Sequence, residues 1–172
     1  LKEETPDNPH IHEMYKDIRR LESITERFSK IGSNSPLQPE NLYNTVENTI
    51  NYLRSRVSKN VTIDIDCPNQ DIEVPLIRSL FEWVIENLCK NAVDAMAGNG
   101  NIQIVILEKK NHIQIDVIDT GKGIQKSRFK TIFKPGYTTK KRGWGLGLSL
   151  VKRIVEQYHR GKIFVYNSQI GK

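Results

Sequence analysis

Apolar residues at Ile11, Met14, Ile18, Leu21 and Phe28, with Thr25 filling the remaining seam position, step by three and four, and Lys16, Asp17, Arg19 and Arg20 lie outside the seam. That spacing predicts one helix with a bundle-type stripe, which needs a partner helix or a second copy of itself to cover it. Gly32, Pro36 and Pro39 then break the pattern, so 1–31 reads as a helical arm, 32–41 as a linker and 42–172 as one domain. Within the domain a helix is expected from about Pro39 to Val57, and the strict alternation of VTIDID (61–66) predicts a strand with one buried face. Pro75 suits the first turn of a long helix reaching Ala97, with Ile77, Phe81, Val84, Leu88 and Ala92 repeating toward a core. Two alternating runs, NIQIVILE (101–108) and HIQIDVID (112–119), flank the polar KKN and predict a hairpin. A further helix over about Leu146–Gln157 and a closing strand KIFVYN (162–167) complete the pattern. The order predicts an α+β fold, a two-layer α/β sandwich with a mixed sheet and helices on one face.

Composition narrows this picture little: 172 residues, 37% hydrophobic and 27% charged, suit one core plus an arm. No apolar run is long enough to span a bilayer, and the two cysteines, Cys67 and Cys89, sit among apolar neighbours. A reduced, cytoplasmic setting is expected, with any membrane anchor of a longer parent lying upstream. Charge is more informative once located. Of 26 basic residues ten lie in 121–155, which holds no acidic residue, leaving 16 basic against 20 acidic elsewhere. No aromatic-interleaved or groove-reading motif accompanies this surplus, so neutralisation of a ligand's phosphates is expected and nucleic acid is not.

Four polar runs, three of them glycine-bearing, share that stretch and the helix before it: ENLCKNAVDAM (86–96), DTGKGI (119–124), IFKPGYTTK (132–140) and GWGLGL (143–148). Asn87, Asn91 and Asp94 fall on one face of the long helix. An amide oxygen such as that of Asn91 is a hard neutral ligand suited to Mg²⁺, which takes the rest of its shell from water and substrate phosphates. Asp119 ends a strand, where a carboxylate can accept from an exocyclic amine such as that of adenine, and Gly121 and Gly123 let a flat base approach the backbone. Gly143, Gly145 and Gly147 lead into a helix whose first N–H groups, near Leu146 and Leu148, can hold phosphate oxygens. Neither a Walker lysine nor a βαβ unit accompanies them. Thr138, Thr139 and Lys140 lie in a run too polar to pack as core, which reads as a lid over a triphosphate.

In order and content the four runs resemble the N box, first glycine box, F box and second glycine box of the GHKL ATP-binding fold, in the form carried by sensor histidine kinases. The resemblance covers about 60–167, and the arm resembles the second helix of the kinases' dimerisation and phosphotransfer hairpin. It implies ATP and Mg²⁺ as cofactors, with Asn91 on the metal, Asp119 on adenine, Gly121 and Gly123 shaping the base pocket, and Gly145–Leu148 on the phosphates. It further implies transfer of the γ-phosphoryl to a histidine on the hairpin and then to an aspartate of a response regulator receiver domain, with homodimerisation through the hairpin. Three departures stand out. Asp94 occupies a place where many histidine kinases have lysine, which leaves Lys140, Lys141 and Arg142 to neutralise phosphate. Trp144 replaces a small residue, and the usual last strand is not reached.

No acceptor is evident. His12 is followed by Glu13, but Asp17 stands where a proline is expected, and His12 lies too close to the N box for two hairpin helices plus a strand and a helix. His10 and His112 have no catalytic setting, and His159, near a helix C-terminus, is placed favourably as a cation. No catalytic residue is therefore assigned, and the acceptor helix is expected outside these residues. Two other functions remain open: an ATP-hydrolysing clamp of the same superfamily and a nucleotide-responsive module without transferase activity. The clamp requires a glutamate four residues before the magnesium asparagine, where Asn87 stands; Glu86 lies about 100° around the helix.

Overall fold

Alternation makes the main sheet. In the computed structural model, which describes Met14, Ile18, 35–140 and 143–168, β2 (Val61–Asp66) runs parallel to β4 (Gly100–Lys109). β4 in turn pairs antiparallel with β5 (His112–Asp119), giving the order β2-β4-β5. Ile102, Ile104 and Ile106 of β4 are fully buried, with Val61 and Ile63 of β2 beside them. The opposite face is polar at its Asn101 end, where Asn101 Nδ2 donates to Thr62 Oγ1 and Asp64 Oδ2, both at 2.8 Å. One face is thus covered and one wet, as period-two patterning requires.

The cover is two helices. In α1 (Leu42–Arg54) the residues Leu42, Thr45, Val46, Thr49, Ile50 and Leu53 are buried at three- and four-residue steps. Asn41 caps it, its Oδ1 accepting from Asn44 N at 2.8 Å. α2 (Arg78–Ala95) contributes Phe81, Ile85, Cys89 and Ala92 to the core that the sheet and α1 share. Its other side packs against α3 (Gly147–Arg153) and the π-turn that follows it, Ile154–Tyr158, where Val151 and Ile154 are fully buried. Beyond Ala95, Gly98 takes a left-handed φ of 77° and its N–H closes on Val93 O at 3.0 Å, ending the helix.

The structure departs from the sequence expectations at three places. Gln38–Asn41 is a strand, β1, not linker, and Pro75 lies in a strand, β3 (Glu73–Leu76), not in a helix. The two pair antiparallel with Pro39 opposite Pro75. Proline cannot donate to a ladder, so a proline is tolerated where its missing N–H would point away from the partner, and two facing prolines satisfy this together. Residues 162–167 form no strand: Ile163 and Val165 are half-buried and Phe164 and Tyr166 exposed, alternating as a strand would, but without ladder hydrogen bonds.

Residues Leu1–Ser35 make a separate unit from Pro36–Lys172. Met14 and Ile18 are helical and exposed; the remainder of the expected seam, with His10 and His12, lies outside the described residues. Among the described residues no helix is long and apolar enough to cross a membrane.

Candidate nucleotide site

α2 is the wall on which the four boxes meet. Asn87, Asn91 and Ala95 recur every four residues and so share one flank of the helix, with Asp94 beside them. Each meets a different box. Asn87 Nδ2 donates to Trp83 O at 3.1 Å, and its Oδ1 stands where a Cβ on Gly147 would come within 3.0 Å. Lys140 Nζ donates to Asn91 Oδ1 at 2.9 Å and also to Asp94 Oδ2, with which it forms an ion pair. Ala95 O accepts from Lys122 N at 3.2 Å. The helix, the lid and both glycine boxes are therefore in direct contact with one another or with α2.

Strand register explains why Asp119 belongs to this side. It pairs with Ile102, whose side chain is buried under the helices, and paired residues in an antiparallel ladder point to the same face. Asp119 thus leaves the sheet on the helix-covered face but past the core, where it is exposed. Its Oδ1 accepts from Gly121 N at 2.8 Å, which fixes the orientation of the carboxylate. Gly121 has no room for a side chain: a Cβ would lie 2.7 Å from Ala95 Cβ and 2.7 Å from Asp119 Oδ1. Gly123 has φ 73°, a conformation that favours glycine. Thr120 ties the loop to the sheet edge, its Oγ1 accepting from Asn101 N at 3.1 Å and donating to Met96 Sδ at 3.3 Å.

The lid is closed at its base. Gly136 N donates to Gly145 O at 3.1 Å, and both glycines have left-handed φ, 81° and 65°. A Cβ on Gly145 would meet Gly136 O at 2.7 Å, so the two strands of the lid touch backbone to backbone. Between them Thr138 Oγ1 accepts from Lys140 N at 3.1 Å. Thr139 is exposed and Gly143 half-buried, and Trp144 is 64% exposed. Leu146, Gly147 and Leu148 form the entrance to α3, whose first N–H groups have no partner within the helix. Lys141 and Arg142 lie outside the described residues.

Asn91 Oδ1 and Asp94 Oδ2 are hard oxygen donors that already converge on a cation, the chemistry a magnesium ion takes from a protein. Among the described residues no three His, Cys, Asp or Glu side chains gather in a metal cluster. Cys89 takes no part: it is buried in the core and its thiol is pushed up to about 12.

His159 corrects an expectation. Its Nε2 accepts from Ile77 N at 3.1 Å, so the ring is neutral, with Nδ1–H donating to Ile154 O at 3.1 Å. Burial lowers its pKa, opposed by the contact with Ile154 O, and the ring packs edge-on against Phe81 with centroids 5.8 Å apart. It joins the start of α2 to the end of the π-turn and is not a surface cation. The Lys140 contact was also beyond sequence reasoning, because a loop and a helix 46 residues apart share no local signal.

Residues 76–172 match the family model for histidine kinase-, DNA gyrase B-, and HSP90-like ATPases. Among curated proteins the chain is 31% identical over 160 residues to sporulation kinase E of Bacillus subtilis, covering 91% of this chain and 21% of that protein. It is 45% identical over 89 residues to the sensor histidine kinase ZraS of Escherichia coli, covering 52% of this chain and 19% of that protein. The chain thus spans about a fifth of the length of these relatives. Among solved structures, the nucleotide-free catalytic domain of histidine kinase ThkA superposes with a TM-score of 0.71 at 30% identity, over 77% of this chain and 88% of that one. ThkA in complex with the response regulator protein TrrA gives 0.75 at 25% identity, over 97% of this chain and 49% of that one. The chain therefore belongs to the histidine kinase-, DNA gyrase B-, and HSP90-like ATPase family and has the fold of a histidine kinase catalytic domain.

Proposed function

We propose that this domain binds Mg·ATP between α2 and the lid and presents the γ-phosphoryl group to a histidine on a helical hairpin, for relay to an aspartate of a response regulator. The observation that carries the reading is the meeting of a helix amide, a helix carboxylate and a lid ammonium at Asn91, Asp94 and Lys140. In this reading Asp119, held through Oδ1 by Gly121 N–H, accepts from the adenine amine through Oδ2, and Gly121 and Gly123 admit the base. Asn91 would hold the hydrated metal, which when bound neutralises charge on the phosphates, and Asn87 and Asp94 line the nucleotide site beside it. The backbone from Gly143 through Gly145 to Leu148 cradles the phosphate oxygens, while Thr138, Thr139 and Lys140 close over them. Catalysis in this scheme is positioning and charge stabilisation. The acceptor hairpin, its homodimerisation and the receiver are partners supplied by the longer protein, and 1–31 is the arm, joined to the domain by a linker that ends before β1. The likeness to ThkA, solved with a response regulator, supports the relay.

Phosphoryl transfer is favoured over water activation because the N-box position used by the hydrolysing clamps carries Asn87, and the Glu86 carboxylate is paired with Lys90. Calorimetry with ATP, with and without MgCl₂, tests the reading. Asp119→Asn is expected to weaken binding about ten- to a hundredfold, the worth of a hydrogen bond to a charged group, and Asn91→Ala to abolish the Mg²⁺ dependence. An added hairpin bearing an acceptor histidine should gain labelled phosphate from [γ-³²P]ATP. ATP binding unaffected by either substitution, or no phosphohistidine despite binding, overturns it.

A further inference from the structure

The cation seated on the N box comes from the chain itself. Lys140 reaches from the lid to both Asn91 Oδ1 and Asp94 Oδ2, and its own backbone N–H is held by Thr138 Oγ1 at 3.1 Å. The lid base is fixed separately by the Gly136–Gly145 hydrogen bond. With the root of the loop closed, less conformational entropy opposes a contact made beyond it, and the Lys140 contact can select one pose for 137–140. Asp94 is the residue that makes the contact attractive. A lysine there, as many histidine kinases have, would repel Lys140.

We propose that Asp94 is a lid-positioning residue. With Asn91 it holds the Lys140 ammonium against α2 in the absence of nucleotide, at the place where the divalent cation binds, so that internal cation and metal are alternatives at Asn91. This rests on the Mg·ATP reading above for the identity of the metal, but not for the latch. One positive charge leaves the two oxygens as another arrives, so the N box is never an uncompensated anionic surface. The displaced lysine then lies beside the incoming phosphates, its other natural counter-ion. Binding and lid rearrangement are thereby coupled through a single side chain.

Hydrogen exchange of the full chain without nucleotide tests the latch. The side chains of Lys140 and Asp94 are 44% and 55% exposed, so their substitution leaves the core intact, and an exposed pair of this kind holds its loop by a factor of about two to five. Asp94→Asn and Lys140→Gln should each raise exchange of the 137–140 amides by that factor, and the exchanged-charge double variant Asp94→Lys with Lys140→Glu should bring it back toward the parent value. Single variants that exchange like the parent, or a double variant no slower than the singles, overturn the proposal. Calorimetry then addresses the alternation: the gain in ATP affinity on adding MgCl₂ over EDTA should be larger in Lys140→Gln than in the parent, and an equal or smaller gain refutes it. If the parent protein binds no ATP at all, the proposed function falls while the exchange result still decides whether Asp94 positions the lid.

Discussion

Gly121→Ala isolates one close approach in the site. The added Cβ would lie 2.7 Å from Ala95 Cβ, 2.8 Å from Ala95 C and 2.7 Å from Asp119 Oδ1. Two of these atoms belong to the end of α2, a rigid element, so no rotamer change relieves the clash; the 119–123 loop has to move away from the helix. Forcing a methyl into a packed site of this kind costs about 1–3 kcal/mol. The same movement pulls Gly121 N from Asp119 Oδ1 and frees the carboxylate from its single orientation. If the displacement is expressed mainly in the bound state, ATP affinity falls by a factor of about five to a hundred and fifty. Gly143→Ala is the matched comparison, because its Cβ would meet only Thr138 Oγ1 at 3.3 Å and the Lys140 side chain at 3.6 Å, groups on a loop that can give. Calorimetric ATP affinities of the two variants, with thermal midpoints to show that both remain folded, provide the assay. An affinity for Gly121→Ala within twofold of the parent, or a larger loss in Gly143→Ala, would refute the assignment of this close approach to the base pocket.

Two further expectations concern the scaffold. The His159 ring is neutral where it accepts from Ile77 N, and burial depresses its pKa below the ordinary value near 6.5. The unfolded chain therefore takes up a proton first as pH falls, so the stabilisation is complete above about 6.5 and is lost as pH drops toward the folded-state pKa. Urea midpoints should decline over that window in the parent and more shallowly in His159→Gln, which offers an acceptor that does not titrate; parallel slopes would show that His159 is not responsible. Ile104 is fully buried at the centre of β4, and Ile104→Ala should lower stability by about 2–5 kcal/mol in urea unfolding, whereas a loss below 1 kcal/mol would mean that the sheet face is not the core.

Much of this was legible in the sequence because the relevant physics is local. VTIDID, NIQIVILE and HIQIDVID alternate because one sheet face is buried and the other wet, and the three- and four-residue steps of Val46, Ile50 and Leu53 follow from a helix lying on that sheet. Asn87, Asn91 and Asp94 were placed on one face by helical geometry alone. The misses arise where pairing decides. Read singly, Pro39 marks a break and Pro75 a helix start, yet each is accommodated by the other across β1 and β3. Residues 162–167 show that alternation sets which way side chains point without creating a ladder. His159 was misjudged because its partner, Ile77, is 82 residues away, and Lys140 found Asn91 and Asp94 across a comparable gap. In the site, residue types and order could be read from the sequence, while the contacts that join the boxes could not.

The backbone clasp between Gly136 and Gly145 gives the lid an unusual kind of independence. Since the two arms are stitched together at the root, a change at 137–140 need not propagate into α3 on one side or into the Thr131–Phe133 turn on the other. Substitutions at 137–140 can therefore retune capture and release of a ligand without loosening the domain beneath.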